Sequence, residues 1–102
     1  MSVQFEWDVN KASVNIAKHK ISFEEASTVF DDSLARILDD PDHSLEEHRE
    51  IIIGHSIDGR LLIVCFTERG RDVVRIFSAR SATHKEREDY ENYAKFQDPQ
   101  GG

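Results

Sequence analysis

A single cysteine among 102 residues excludes an intrachain disulfide and leaves no thiolate cluster for a structural metal. Cys65 sits inside an apolar run, where it reads as a small buried hydrophobe rather than a nucleophile. Long hydrophobic stretches are also missing. The longest, residues 51–53 and 61–66, fall far short of the roughly 20 residues that span a bilayer. No basic-then-apolar leader opens the chain, so a cytoplasmic protein without a membrane partner is expected. With only two prolines and five glycines, there is no linker longer than a turn and no low-complexity segment. One domain over residues 1–98 with a loose tail at 99–102 is expected, because a chain this short supports one core.

Acid outnumbers base by 20 to 13, a net charge of −7, and the imbalance is uneven. Residues 1–50 carry twelve acids against five Lys and Arg, whereas residues 60–87 carry seven Lys and Arg against three acids. Averaged charge argues against a polyanion partner, but affinity for nucleic acid comes from clustered cations. Arg69, Arg71, Arg75 and Arg80 on one hairpin, with Lys85 and Arg87 beyond it, therefore point to phosphate.

Alternation of Val3, Phe5 and Trp7 predicts a short strand. Asp8 or Asn10 then caps a helix to about His19, and Ser22-Phe23-Glu24-Glu25 is a capping box for a second. Strands are predicted at 35–38, 49–55, 61–67 and 73–79, with Asp58-Gly59 and Gly70 as hairpin turns. Thr83-His84-Lys85-Glu86 is a second capping box, opening a helix that Asp98-Pro99 stops. The order β-α-α-β-β-β-β-α predicts an α+β fold: an antiparallel sheet packed with two N-terminal helices and a C-terminal one. Trp7 is expected to anchor the first strand, and Asn15 and Lys11 to tie the first helix to Asp8 or to strand ends.

The order of several short motifs resembles the BrnT family of toxins from bacterial type II toxin–antitoxin systems. They are Phe5-Glu6-Trp7-Asp8 with Lys11 and Asn15, Lys18-His19 before Phe23-Glu24-Glu25-Ala26, and His43-Ser44 with Glu47 and Arg49. Further on come Gly54-His55-Ser56, Gly59-Arg60-Leu61-Leu62, Arg69, Ile76-Phe77-Ser78-Ala79-Arg80, Ala82-Thr83, Glu86-Arg87 and Tyr90. The chain departs at Lys20, where the family usually has the glycine that suits a left-handed helix end.

The resemblance implies a RelE-like fold and a metal-independent endoribonuclease that inhibits translation. The implied partner is a ribbon-helix-helix antitoxin, BrnA-like, through which alone operator DNA is bound. No cofactor or metal is implied. A metal-free ribonuclease must deprotonate a 2′-hydroxyl, stabilise a phosphorane and protonate the leaving 5′-oxygen. Arginine suits the second task through its fixed fork and permanent charge, and Arg69 and Arg80 are the candidates. Proton transfer falls to Tyr90 or to a histidine among His19, His43, His48, His55 and His84, with Lys18 beside His19 carried over from the resemblance. Arg60, Arg71, Arg75, Lys85 and Arg87 are expected to bind RNA. A metal site from His43, Glu47 and His48 is too loosely spaced to be expected. The rival readings are an inactive protein-binding subunit that acts with its antitoxin as a co-repressor, and a gyrase-directed toxin.

Overall fold

A computed structural model describes residues 3–40 and 48–97. Its elements, in chain order, are β1 (Gln4–Glu6), α1 (Val9–His19), α2 (Phe23–Thr28), a 3₁₀ turn (Val29–Asp31), β2 (Arg36–Asp39), β3 (Glu50–His55), β4 (Leu61–Glu68), β5 (Val73–Ser81) and α3 (His84–Gln97). The expected order is present. The tail expected at 99–102, together with His43 and Glu47, lies outside the described residues.

Five strands form one sheet in the order β1-β5-β4-β3-β2. Strands β2 to β5 are the antiparallel meander, but β1 joins β5 in parallel, with Phe5 opposite Val74, so the sheet as a whole is mixed. Helices α1 and α2 separate β1 from the meander in sequence, and β1 returns to the edge left open by β5. Three residues suffice for that pairing, which ends at Glu6 and Arg75. The rest of β5 is left for α1 to cover.

Residues Leu61 to Thr67 of β4 are all buried because both faces of the sheet are covered. On one face Leu62, Val64 and Phe66 pack with Ile21, Phe23, Ala26 and Val29 from α2 and its flanks. Trp7 meets Phe23 edge-on at 5.9 Å on this side, which anchors β1 to α2. On the other face Leu61 and Ile63 pack with Ile53 and Tyr90 beneath α3. The continuous apolar run of β4 is thus the signature of a central strand.

Local chemistry sets the element ends. Asp8 accepts hydrogen bonds from the Asn10 and Lys11 N–H groups and starts α1. Lys20 ends it with φ 63°, the left-handed conformation that glycine adopts without strain. Gly54 on β3 is required by close approach, since a Cβ there would meet the Ala35 Cβ at 2.9 Å where the chain enters β2.

Candidate functional site

Beyond Glu6 the free edge of β5 is capped by a side chain. Asn15, buried on α1, accepts a hydrogen bond from the Ala79 N–H at 3.1 Å and donates to the Ala79 and Ile21 carbonyls at 2.8 and 2.9 Å. This amide replaces the missing strand partner and sets the rotation of α1. Residues four before and three or four after Asn15 must then lie on the same side of the helix, and these are Lys11, Lys18 and His19.

A β-bulge completes the arrangement. Cys65 pairs with Ser78 and Phe66 with Ile76, leaving Phe77 as the extra residue. Phe77 and Ser78 turn toward α1 and form with Asn10, Lys11, Val14, Asn15, Lys18 and His19 an open groove of about 300 Å³. The Arg49 guanidinium lies 3.8 Å from the Phe77 ring centroid and the Lys11 ammonium 5.5 Å from it. No described carboxylate pairs with Lys18 or His19.

Two residues past Ser78 on the same face of β5, Arg80 makes a two-pronged ion pair with Glu86 at 2.8 and 2.9 Å. Glu86 also accepts from the Thr83 N–H, while Thr83 Oγ1 accepts from the Glu86 N–H, so one carboxylate closes the capping box of α3 and holds Arg80. The Arg80 guanidinium beside it, helped by the Thr83 N–H, lowers the Glu86 pKa to about 2 against the opposing effect of burial. Arg80 uses three of its five N–H donors on Glu86 and the Ser81 carbonyl, and its side chain is 43% exposed.

The other expected cations are spread over the surface. Arg80 lies opposite Ile63, whereas the Arg69 N–H bonds Val73 at the far end of the β4–β5 ladder. Six residues at about 3.4 Å each put their backbones roughly 20 Å apart, too far to grip one phosphate together. A cleft shared by Arg69 and Arg80, which the strand pattern permitted, does not form. Arg60 forks onto Glu25, which also accepts from Ser56 Oγ at 2.7 Å. Arg75 pairs with Glu6 and Lys85 with Asp89. Arg71 and Arg87 are exposed.

Tyr90 is buried, and its hydroxyl donates to Asp32 at 2.8 Å with the His55 ring edge-on at 5.2 Å. Burial and the Asp32 carboxylate raise the Tyr90 pKa, so its proton is held tightly. Burial opposes ionisation of Asp32, but the His55 and Leu34 N–H groups and the Tyr90 hydroxyl outweigh it and depress its pKa. This cluster ties α3 to the 3₁₀ turn. Helix α3 thus crosses the sheet from Arg80 on β5, over His55, to Arg36 on β2, whose guanidinium stacks 4.8 Å from Tyr93.

Cys65 is buried, and burial with the nearby Asp40 pushes its thiol up to about 12, which leaves it protonated and unreactive. Asp39, His48 and Glu50 bring three ligand atoms within 4.8 Å of one another at the β2–β3 end, the one such group among the described residues. Sequence reading missed Lys11, Phe77 and Ser78 as parts of a site. The available signal was the run from residue 9 to 23, which contains no acid in a chain with 20.

The site is that of a small α+β protein with an ion-paired Arg80 at one strand end and Lys11 and Lys18 along an adjoining groove. The family model described as ribonuclease toxin, BrnT, of type II toxin–antitoxin system matches residues 7–86, and the chain belongs to that family. The matched span includes α1, the groove, Arg80 and Glu86. Among solved structures, the crystal structure of the Brucella abortus ribonuclease toxin BrnT, at 1.1 Å resolution, shares the fold with a TM-score of 0.64 and 24% identity over 81% of this chain and all of that one. A search of curated proteins finds no match.

Proposed function

We propose that this chain is a cytoplasmic endoribonuclease toxin that cuts RNA without a metal ion, thereby inhibits translation, and is neutralised by a ribbon-helix-helix antitoxin of BrnA type. The observation that carries the reading is Arg80: a guanidinium oriented by Glu86, half open to solvent, with donors left for a phosphate. Arg80 stabilises the charge that builds on the phosphorane when the 2′-hydroxyl attacks phosphorus. One well-placed donor of this kind contributes about 3 to 4 kcal/mol. His19 and Lys18 at the end of α1 line the groove with Ser78, two residues before Arg80 on β5, and they serve proton transfer to and from the 2′- and 5′-oxygens. Tyr90, with its proton held by Asp32, secures α3 and through it Glu86. Arg69, Arg71 and Arg87 contact RNA away from the scissile bond, and the paired Arg60, Arg75 and Lys85 add to the local field.

The test is growth arrest and RNA cleavage by wild type and Arg80→Ala, with EDTA in the cleavage assay and folding followed by circular dichroism. Cleavage that persists in EDTA and falls about 10²- to 10³-fold in folded Arg80→Ala is expected. Loss of wild-type cleavage in EDTA overturns the metal-free mechanism and directs attention to Asp39, His48 and Glu50. A folded wild type that cuts no RNA supports the co-repressor subunit instead.

A further inference from the structure

Three features of the α1–β5 groove have no part in the chemistry just assigned. Lys11 is about two helical turns from Lys18, Asn10 offers a neutral donor at the groove's other end, and Phe77 is raised out of the ladder by the bulge. We propose that this groove is a binding site for the backbone of single-stranded RNA, taking a nucleotide flanking the one cut at Arg80. The proposal rests on the ribonuclease reading for the identity of its ligand, and the groove shares Lys18 and His19 with the chemistry proposed above, but binding gives it its own readout.

Charge supports it first. α1 contains no carboxylate, and Asp8, the nearest one before it, is engaged with the Asn10 and Lys11 N–H groups. Depression of the Asp8 pKa, chiefly by the Lys11 N–H, reflects that engagement. In the hairpin, by contrast, Arg75 and Arg80 each face a carboxylate. Lys11 and Lys18 on α1 face no such carboxylate and can exchange counterions for phosphate.

Geometry supports it next. Asn15 pins α1 to Ala79 in the middle of the groove, so Lys11 and Lys18 flank a rigid floor. Pre-positioned cations lose less freedom on binding than the same residues on a loop. Ser78 lines the groove and shares its strand face with Arg80, about 7 Å away along the strand, so a chain leaving Arg80 enters the groove without a turn. An aromatic ring interleaved with cations along a narrow track is the pattern that holds single strands.

The experiment measures binding of a short single-stranded RNA, 2′-O-methylated so that it cannot be cut, across a series of salt concentrations. Wild type is compared with Lys11→Gln/Lys18→Gln and with Lys95→Gln, an exposed cation at the far end of α3. Removing two phosphate contacts lowers the magnitude of the log–log salt slope by about 1.4, since each contributes about 0.7 on a single strand. Lys95→Gln leaves the slope unchanged. An unaltered slope in the folded double variant, an equal loss in Lys95→Gln, or no RNA binding by wild type overturns the groove. Equal affinity for a methylated duplex overturns the single-strand assignment. A wild type that binds with the expected slope yet never cuts unmodified RNA sinks the ribonuclease reading and leaves the groove standing.

Discussion

Glu86 performs two tasks with one carboxylate, capping α3 and orienting Arg80, and substitution separates them. Glu86→Gln keeps an acceptor for the Thr83 N–H but removes the charge opposite Arg80. The helix start should survive while kcat falls about tenfold with KM little changed, because a misdirected guanidinium weakens transition-state stabilisation first. Steady-state cleavage of a defined oligonucleotide checks the split. Asn15 is the structural counterpart. Replacing it by Leu leaves the Ala79 N–H and two carbonyls without partners in a buried setting, and stability should drop by about 3 kcal/mol in denaturant unfolding.

Helix α1 ends on Lys20 at φ 63°, a conformation a side chain makes costly. Lys20→Gly should raise stability by about 1 kcal/mol, seen as a higher denaturation midpoint at unchanged slope. Against that gain, the substitution removes a long hydrogen bond from Lys20 Nζ to the Ala17 carbonyl, at 3.4 Å and exposed to solvent. No rise in the midpoint would mean that the left-handed turn is relaxed in some other way. Helix α3 depends less on its own face than on its anchors. Glu86 at its start, Tyr90 in its middle and Tyr93 under Arg36 fasten it across three strands, while Phe96 near its end is exposed.

Across the whole protein, a net charge of −7 is divided between paired and unpaired groups. Glu86, Glu25 and Asp32 all have depressed pKa values in the folded state, so each stabilises the fold above the unfolded carboxylate pKa. That stability is complete above about pH 5 and is lost as pH falls through the folded values, for Glu86 from 4.5 toward about 2. Partial exposure of the Arg80–Glu86 pair limits its share to about 1 kcal/mol. Thermal unfolding of wild type and Glu86→Gln should therefore differ at pH 7 and converge near pH 2. A gap that persists in acid would assign the effect to the cap rather than to the charge.

Much of the fold is legible locally: Asp8, Ser22 and Thr83 announce helix starts, Gly59 and Gly70 mark hairpins, and the apolar run of β4 marks the central strand. These signals act within a few residues, which is why element order, α+β class and the family motifs can be read from the chain alone. The parallel pairing of β1 with β5 cannot, since a contact across some 70 residues leaves no local trace. Nor does the chain separate Arg69 from Arg80. They lie eleven residues apart in sequence, but the ladder register puts them at opposite ends. Ser22 shows the same limit in the other direction: its hydroxyl caps Glu25 as the motif foretells, yet the Glu25 carboxylate turns to Arg60 and Ser56. Which cations are held by carboxylates and which face the groove emerges only when the strands and helices are assembled. Charge pairing depends on distance through space, and the sequence records only distance along the chain.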